Sequence, residues 1–366
     1  MSYIGQNELF SFRDGRCESL PGKVLSSARA AGFGRVLAGT AGRFIAGCGN
    51  YSHTHILYAL CSGLSECGRE VYLCEDTDMQ SFRYSIPMLS ADCGVYISGT
   101  GQTVIMDFFR RDRLPFSRSE TLSVMNGAPA ERAGRPGRLT QFTSFRSIYL
   151  NSIRDSLGPD MLPISAGVSC GCREVRSLWL EFFSGESDEL VFQVSEDGSR
   201  VNAYSRSAGF ISHEKLLICY AAKCAVHGQR VWLPDQVHYA AEESAGSMIS
   251  RFSRDELPED AASQRHLFDP LYMCTALASD VKSFLHMAGR LPAFSSSKRE
   301  VTVDAPDKVP VGKSLTAPGG RVILERSGRN RISVLAQAYS AETAAELCCS
   351  WTEKLRRFDK CGGPLI

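Results

Sequence analysis

No stretch of the 366-residue sequence approaches the roughly 20 apolar residues of a membrane span, and MSYIGQNELFSFRDGR at its start lacks the basic region and apolar core of a secretory signal. These absences exclude a membrane-spanning chain and give a cytoplasmic protein as the expectation. Excess charge of either sign is missing too: the formal net charge is +1, which leaves no electrostatic footprint for nucleic acid or an acidic membrane surface. Paired C-x-x-C spacing is absent although the chain holds 14 cysteines. The closest cysteines are Cys170 with Cys172 and Cys348 with Cys349, a spacing that excludes a paired structural zinc site. Others, such as Cys61, Cys74, Cys93, Cys219 and Cys274, lie in apolar segments where cysteine behaves as a small buried hydrophobe, so free thiols are expected. None of the seven histidines has a cysteine or carboxylate partner at metal spacing; His53, His55 and His213 stand at helix starts, where capping and surface roles are expected. There is no G-x-S-x-G elbow and no G-x-G-x-x-G following a strand. The string VPVGKSL, with Gly312, Lys313 and Ser314, lacks the first glycine of a phosphate-binding P-loop and reads as a loop.

What is present is a globular composition, 43% hydrophobic and 22% charged, in a chain too long for one core. Two to four domains are expected. Leu20 to Leu37 has helical spacing, RFIAG is a strand, and SHTHILYALCSGLSECG is a helix with Ser52 placed to cap it. EVYLCED is a second strand, MQSFRYSIPMLSADCG a Pro-interrupted helix, and GVYIS a third strand. This alternation predicts an α/β layer, largely parallel. NGAPAERAGRPGRLTQFT, from Asn126 to Thr143, reads as a loop leaving the first domain. A second α/β segment contains helix FRSIYLNSIRDSLG, strand MLPIS, glycine turn AGVSCGC, helix REVRSLWLEFF, strands ELVFQVS and RVNAYS, and helix ISHEKLLICYAAKCAVHG. A third runs from strand RVWLP through helix VHYAAEESAGS and strand MISRF to one long helix, DPLYMCTALASDVKSFLHMAG. After the polar linker AFSSSKRE come strands VTV, RVILERSG and RISVLAQAY and an amphipathic helix with Ala344, Leu347, Cys348, Trp351 and Leu355 aligned. Three similar α/β units are followed by one α+β unit.

That order, with the residues at its turns, resembles the α-D-phosphohexomutases, the phosphoglucomutase, phosphomannomutase and phosphoglucosamine mutase family. The segments that carry it are AGFGRVL with RFIAGCGNYSHTHILYALCSGLSECGREVYL, then ADCGVYISGTGQT, SDELVFQVSEDGSRVNAYSRSAGFISHEKLL, and RVILERSGRNRISVLAQAYSAETAAEL. The resemblance implies residues 1–140 as domain I, 141–229 as a shortened domain II, 230–294 as a shortened domain III, and 295–366 as a C-terminal phosphate-loop-like domain. It also implies a phosphoserine loop of the form T-A-S-H-N-P, a metal loop D-G-D-x-D-R whose three aspartates hold magnesium, and a distal phosphate loop R-P-S-G-T-E-P.

Residue by residue, the chain departs from each. Ser98 to Thr103 stand on the nucleophile loop, with Thr100 at the serine position and Gly101 and Gln102 replacing histidine and asparagine. A threonine methyl crowds an in-line displacement, and the residues alone read as a glycine turn joining two strands. On the metal loop, Ser195, Glu196, Asp197, Gly198, Ser199 and Arg200 leave only Asp197 and Arg200 matched; the same E-D-G-S string suits a hairpin tip. Two acidic donors are lost from a magnesium site. On the phosphate loop, Ser327 and Gly328 match, Glu325 replaces the leading arginine, and Arg326, Arg329 and Arg331 keep the stretch positive, so Arg326, Ser327, Gly328 and Arg329 are the candidate phosphate ligands. FSFRDGR, with Asp14, Gly15 and Arg16, echoes the opening motif F-G-T-D-G-I-R-G out of register by one. Glu242, Glu243 and Ser244 echo the sugar-selecting loop but read as a solvated helical face, and the chain is shortened between MISRF and DPLYMC.

The expectation is a phosphohexomutase-like protein that has lost mutase catalysis, a pseudoenzyme that needs no cofactor and binds a phosphosugar, a protein partner or a second copy of itself. The alternative is an active mutase with Thr100 as phosphoryl carrier and magnesium on Asp197 and a neighbour. A subunit for an unrelated partner is the third reading.

Overall fold

The computed structural model describes residues 10–13, 15–19, 25–49, 53–99, 103–142, 145–158, 163–252, 265–312, 314–328 and 330–361. The fold is mixed α/β, and the chain divides into two compact units: Met1–Val201 with Phe268–Thr275, and Asn202–Leu267 with Ala276–Ile366.

In the first unit, strands β1 (Phe10–Arg13) and β2 (Arg16–Ser19) form a hairpin, followed by α1 (Ser27–Leu37), β3 (Arg43–Cys48), α2 (Thr54–Glu66), β4 (Glu70–Cys74) and α3 (Met79–Met88). Then come β5 (Cys93–Ser98), β6 (Ile105–Arg110), α4 (Arg118–Asn126) and β7 (Leu139–Phe142). They build one seven-stranded sheet in the order β1-β2-β6-β5-β3-β4-β7. Strands β5, β3, β4 and β7 are parallel; β6 runs antiparallel to β5 and β2 antiparallel to β6. In β3 every residue after Arg43 is buried, as both-sided helical cover of a parallel strand requires. Local signals place the helices. Ser26 caps α1, Asp78 caps α3 by accepting from Ser81 N, and Ser117 with Glu120 closes a capping box on α4. Pro87 lies within the last turn of α3, which ends at Met88.

Helices α1 and α2 cross closely because Gly34 and Gly63 carry no side chain: a Cβ on Gly34 would run into the Leu60 carbonyl, and one on Gly63 into the Ala31 carbonyl. Under them lies the main core, which includes Phe33, Leu37, Phe44, Ile56, Leu60, Val95 and Phe108, all almost fully buried. Still in this unit, α5 (Arg146–Leu157), β8 (Ile164–Ser169), α6 (Arg173–Trp179), β9 (Phe183–Gly185) and β10 (Leu190–Val194) follow, with β10, β8 and β9 parallel. Trp179, Phe183 and Phe192 pack ring on ring there.

The division between units falls inside β11 (Val201–Ser205), which pairs antiparallel with β12 (Gly209–Ile211). In the second unit follow α7 (His213–Val226), β13 (Val231–Pro234), α8 (Ala240–Ala245) and β14 (Ile249–Phe252), the two strands parallel. Helix α9 (Pro270–Ala278), which the second division crosses, precedes α10 (Val281–Arg290). An antiparallel sheet closes the chain: β15 (Ser295–Thr302), β16 (Ser314–Ala317), β17 (Gly320–Gly328) and β18 (Arg331–Ala338), in the order β15-β18-β17-β16, against α11 (Ala341–Cys361). Val301, Val322, Leu324, Ile332, Val334, Cys348, Trp351 and Leu355 form its core.

Several expectations are corrected. Leu139–Phe142, inside the expected loop, is a strand because its backbone pairs with β4; its side chains are half or fully exposed, so no apolar pattern marks it. The polar linker Ala293 to Glu300 is mostly β15, an edge strand whose partner is β18. The glycine turn after MLPIS is the body of β8, with Ala166 and Val168 buried. The single long helix is two, broken at Ser279 and Asp280, where Asp280 caps α10 through Ser283 N. Ser52 lies outside the described residues. His53, at the start of α2, makes no cap bond and is buried rather than surface-exposed.

Candidate functional site

The turn Ser195 to Arg200 follows β10. Ser195 N donates to Arg200 O at 3.0 Å and Gly198 N to Ser195 O at 2.9 Å, closing the loop. Gly198 has φ +68°, a conformation that suits glycine, and a Cβ there would strike the Gln80 amide, which donates to Asp197 O at 3.4 Å. Inside the turn, Asp197 Oδ1 accepts from Ser195 Oγ at 2.7 Å, Ser199 N at 3.0 Å and Ser199 Oγ at 2.7 Å. The two serines standing where the resemblance implies aspartates therefore act as donors to the one carboxylate that remains.

The other carboxylate oxygen faces Arg16. Arg16 on β2 and Asp107 on β6 are opposite one another in register, and the guanidinium grips Asp107 with two bonds, Nε to Oδ1 at 2.6 Å and Nη2 to Oδ2 at 3.1 Å. The same Nη2 lies 3.5 Å from Asp197 Oδ2. Burial works against the Arg16 charge, yet Asp107 and then Asp197 hold its pKa above the ordinary guanidinium value. Burial pushes the Asp107 carboxyl up, with the Arg16 bond pulling it back and the Asp197 charge adding to the rise. Burial also acts to raise Asp197, but the bonds from Ser199 and Ser195 and the charge of Arg16 hold it below the usual carboxylate range.

With all three ionised, the cluster carries one net negative charge. A divalent cation does not fit this donor set. A magnesium site takes its ligands from hard anionic oxygens, whereas here hydroxyl and amide hydrogens point at Oδ1 and a guanidinium stands at Oδ2. Among the described residues no group of three His, Cys, Asp or Glu is placed to hold a metal.

Thr100, with Gly101 and Gln102, lies outside the described residues; the flanking strands β5 and β6 pair Ser98 with Ile105. Arg200 closes the turn through its backbone. In the second unit, Arg326 pairs with Asp307 at 2.6 Å, Ser327 sits at the register shift of β17 opposite β18, and Gly328 pairs with Arg331. The Ser327 hydroxyl oxygen is buried with no hydrogen-bond partner among the described residues. Arg329 lies outside them. Glu325 accepts from the Gln236 amide.

Glu243 and Ser244 are exposed, as a solvated face requires, whereas Glu242 is half-buried and ion-paired. It accepts from Arg251 Nε at 2.7 Å and Nη2 at 2.6 Å, with Arg321 Nη1 at 3.5 Å, while Arg251 also ties down the carbonyls of Pro234, Val237 and His238. Ser244 Oγ bonds back to Ala240 O. The stretch between β14 and α9, expected to be shortened, is mostly outside the described residues.

Sequence reasoning missed Asp107. Its available signal was a single carboxylate in the apolar run VIMDFF.

No protein-family model matches the chain, and no curated protein does. Solved structures do. A structure assigned as a phosphomannomutase from Thermus thermophilus aligns with a TM-score of 0.62 at 13% identity, over 92% of this chain and 97% of its own. A phosphoglucomutase/phosphomannomutase family protein from Burkholderia thailandensis aligns with a TM-score of 0.68 at 12% identity, over 99% of both chains. The chain thus has the multi-domain α/β fold of the phosphohexomutases over nearly its whole length. No helix among the described residues is long and apolar enough to cross a membrane.

Proposed function

We propose that this phosphohexomutase-like protein binds a phosphosugar in the cytoplasm without interconverting it. The observation that carries the reading is the engaged carboxylate of Asp197, with three hydrogen bonds on one oxygen and Arg16 on the other. Phosphoryl transfer needs the charge of the migrating group neutralised, and a cluster of two carboxylates and one guanidinium opposes a phosphate dianion. Thr100, at the carrier position, adds a methyl where the in-line path needs room.

Anion binding is assigned to Arg326, Ser327, Gly328 and Arg329. The Ser327 hydroxyl oxygen, which has no hydrogen-bond partner among the described residues, and the positive charge that Arg326, Arg329 and Arg331 give the stretch support it.

The test is a thermal-shift titration with glucose 1-phosphate and mannose 1-phosphate in the absence of divalent metal. A ligand at 100 times its Kd adds about 2.7 kcal/mol of stability, and a rise in Tm that Ser327→Ala and Arg329→Ala diminish is expected. No response to either sugar phosphate overturns binding and leaves the reading of a subunit for a protein partner.

A further inference from the structure

We propose that Arg16 is the built-in cation of this site: its guanidinium stands where a divalent ion would bridge the carboxylates, and it ties the Ser195 to Arg200 turn to the seven-stranded sheet without metal. The inference deepens the functional reading above and rests on its matching of that turn to a metal loop.

Three elements meet at the guanidinium. Strand β2 supplies Arg16, β6 supplies Asp107, and the turn after β10 supplies Asp197. Two carboxylates drawn this close repel one another unless a cation stands between them, and Arg16 contacts both, at 2.6 Å and 3.5 Å. The planar fork suits this position. Nε and Nη2 take Asp107 side-on, which leaves the outer edge of Nη2 directed at Asp197.

The turn itself is built for a guanidinium partner rather than a metal. Ser195 and Ser199 add neutral donors to Oδ1, so the turn presents one negative charge through Oδ2, where a metal loop presents several. The backbone of Asp197 is held from the other side by Gln80. The carboxylate is therefore fixed before any ligand arrives.

The consequence is an exchange of cations on substitution. With Arg16 removed, Asp107 and Asp197 lose the cation that both contact, and the oxygens it held, Asp107 Oδ1 and Oδ2 and Asp197 Oδ2, are left for a divalent ion. The experiment uses the full chain, Arg16→Ala and Asp197→Asn, with Mn2+ as the probe. Free Mn2+ is read by electron paramagnetic resonance, and Tm is measured with and without 1 mM metal, a concentration on the order of weak carboxylate sites.

The wild-type chain is expected to leave the free Mn2+ signal undiminished and its Tm unmoved. Arg16→Ala is expected to lose roughly 3 °C or more in Tm and to regain most of it with Mn2+ while the free signal falls. Uptake of Mn2+ by the wild-type chain that Asp197→Asn abolishes overturns the proposal, and that measurement stands even where Arg16→Ala fails to fold. An unchanged Tm for Arg16→Ala, or a loss that Mn2+ leaves uncorrected, overturns it as well. Metal uptake without sugar-phosphate turnover sinks this inference alone; turnover without metal uptake sinks only the reading of lost catalysis.

Discussion

Asp197 and the two buried imidazoles of the second unit show how single residues set the response to acid. Asp197 lies below its ordinary pKa, so its contribution is complete above about pH 4 and fades as pH falls through its folded value. His238 is pushed down to about 4 by burial, among Tyr239, Phe294 and Tyr339, with Nδ1 accepting from Ala240 N and Nε2 facing Ala338 O. His266, stacked on Tyr220, is pushed down to about 3 by burial. A histidine held neutral binds its proton more readily when unfolded, so stability is full above about pH 6.5 and falls as pH drops towards the folded pKa, by about 1.4 kcal/mol per pH unit for each group. Chemical denaturation between pH 7 and pH 4 should show this slope, and His266→Gln should remove one group's share; identical slopes in both proteins would contradict the assignment. Thiol chemistry is set one residue at a time too. Burial holds the thiols of Cys61 and Cys74 up at about 12, whereas Cys170, Cys172 and Cys349 are partly exposed. Alkylation of the native chain should label that last group first, as peptide mass mapping will report.

At the scale of elements, the α1 and α2 crossing is the most exacting contact. Gly63→Ala pushes a methyl into the Ala31 carbonyl, and an overpacked contact of this kind costs roughly 1–3 kcal/mol, measurable by urea unfolding; a loss below about 0.5 kcal/mol would show that the helices give way freely. Strands β3, β4 and β5 were legible in the sequence because apolar runs between helical patterns mark strands covered on both sides. Strands β7 and β15 were not, because both lie at sheet edges, where half or more of the side chains face water and backbone pairing alone defines the strand. The helix break at Asp280 hid because the apolar positions of α9 and α10 keep nearly one phase across it. For the site, Asp197 and its serines could be read from spacing along one segment. Asp107 could not: its partner Arg16 is 91 residues away, and only the β2–β6 register brings them together.

For the molecule as a whole, 12% and 13% identity to structures of the same fold means that few individual residues are needed to hold it. Burial pattern, strand order and a few close approaches suffice, since cores accept many apolar substitutions of similar volume. Phosphoryl transfer tolerates much less, because it depends on the charge at a handful of positions, and the proposed loss of catalysis rests on the hydroxyl donors and the guanidinium around Asp197. The most direct test of lost catalysis is a 31P NMR time course with the full chain, Mg2+, glucose 1-phosphate and a catalytic amount of glucose 1,6-bisphosphate. The account predicts that the glucose 1-phosphate resonance persists unchanged. Growth of a glucose 6-phosphate resonance that Thr100→Val abolishes would contradict it.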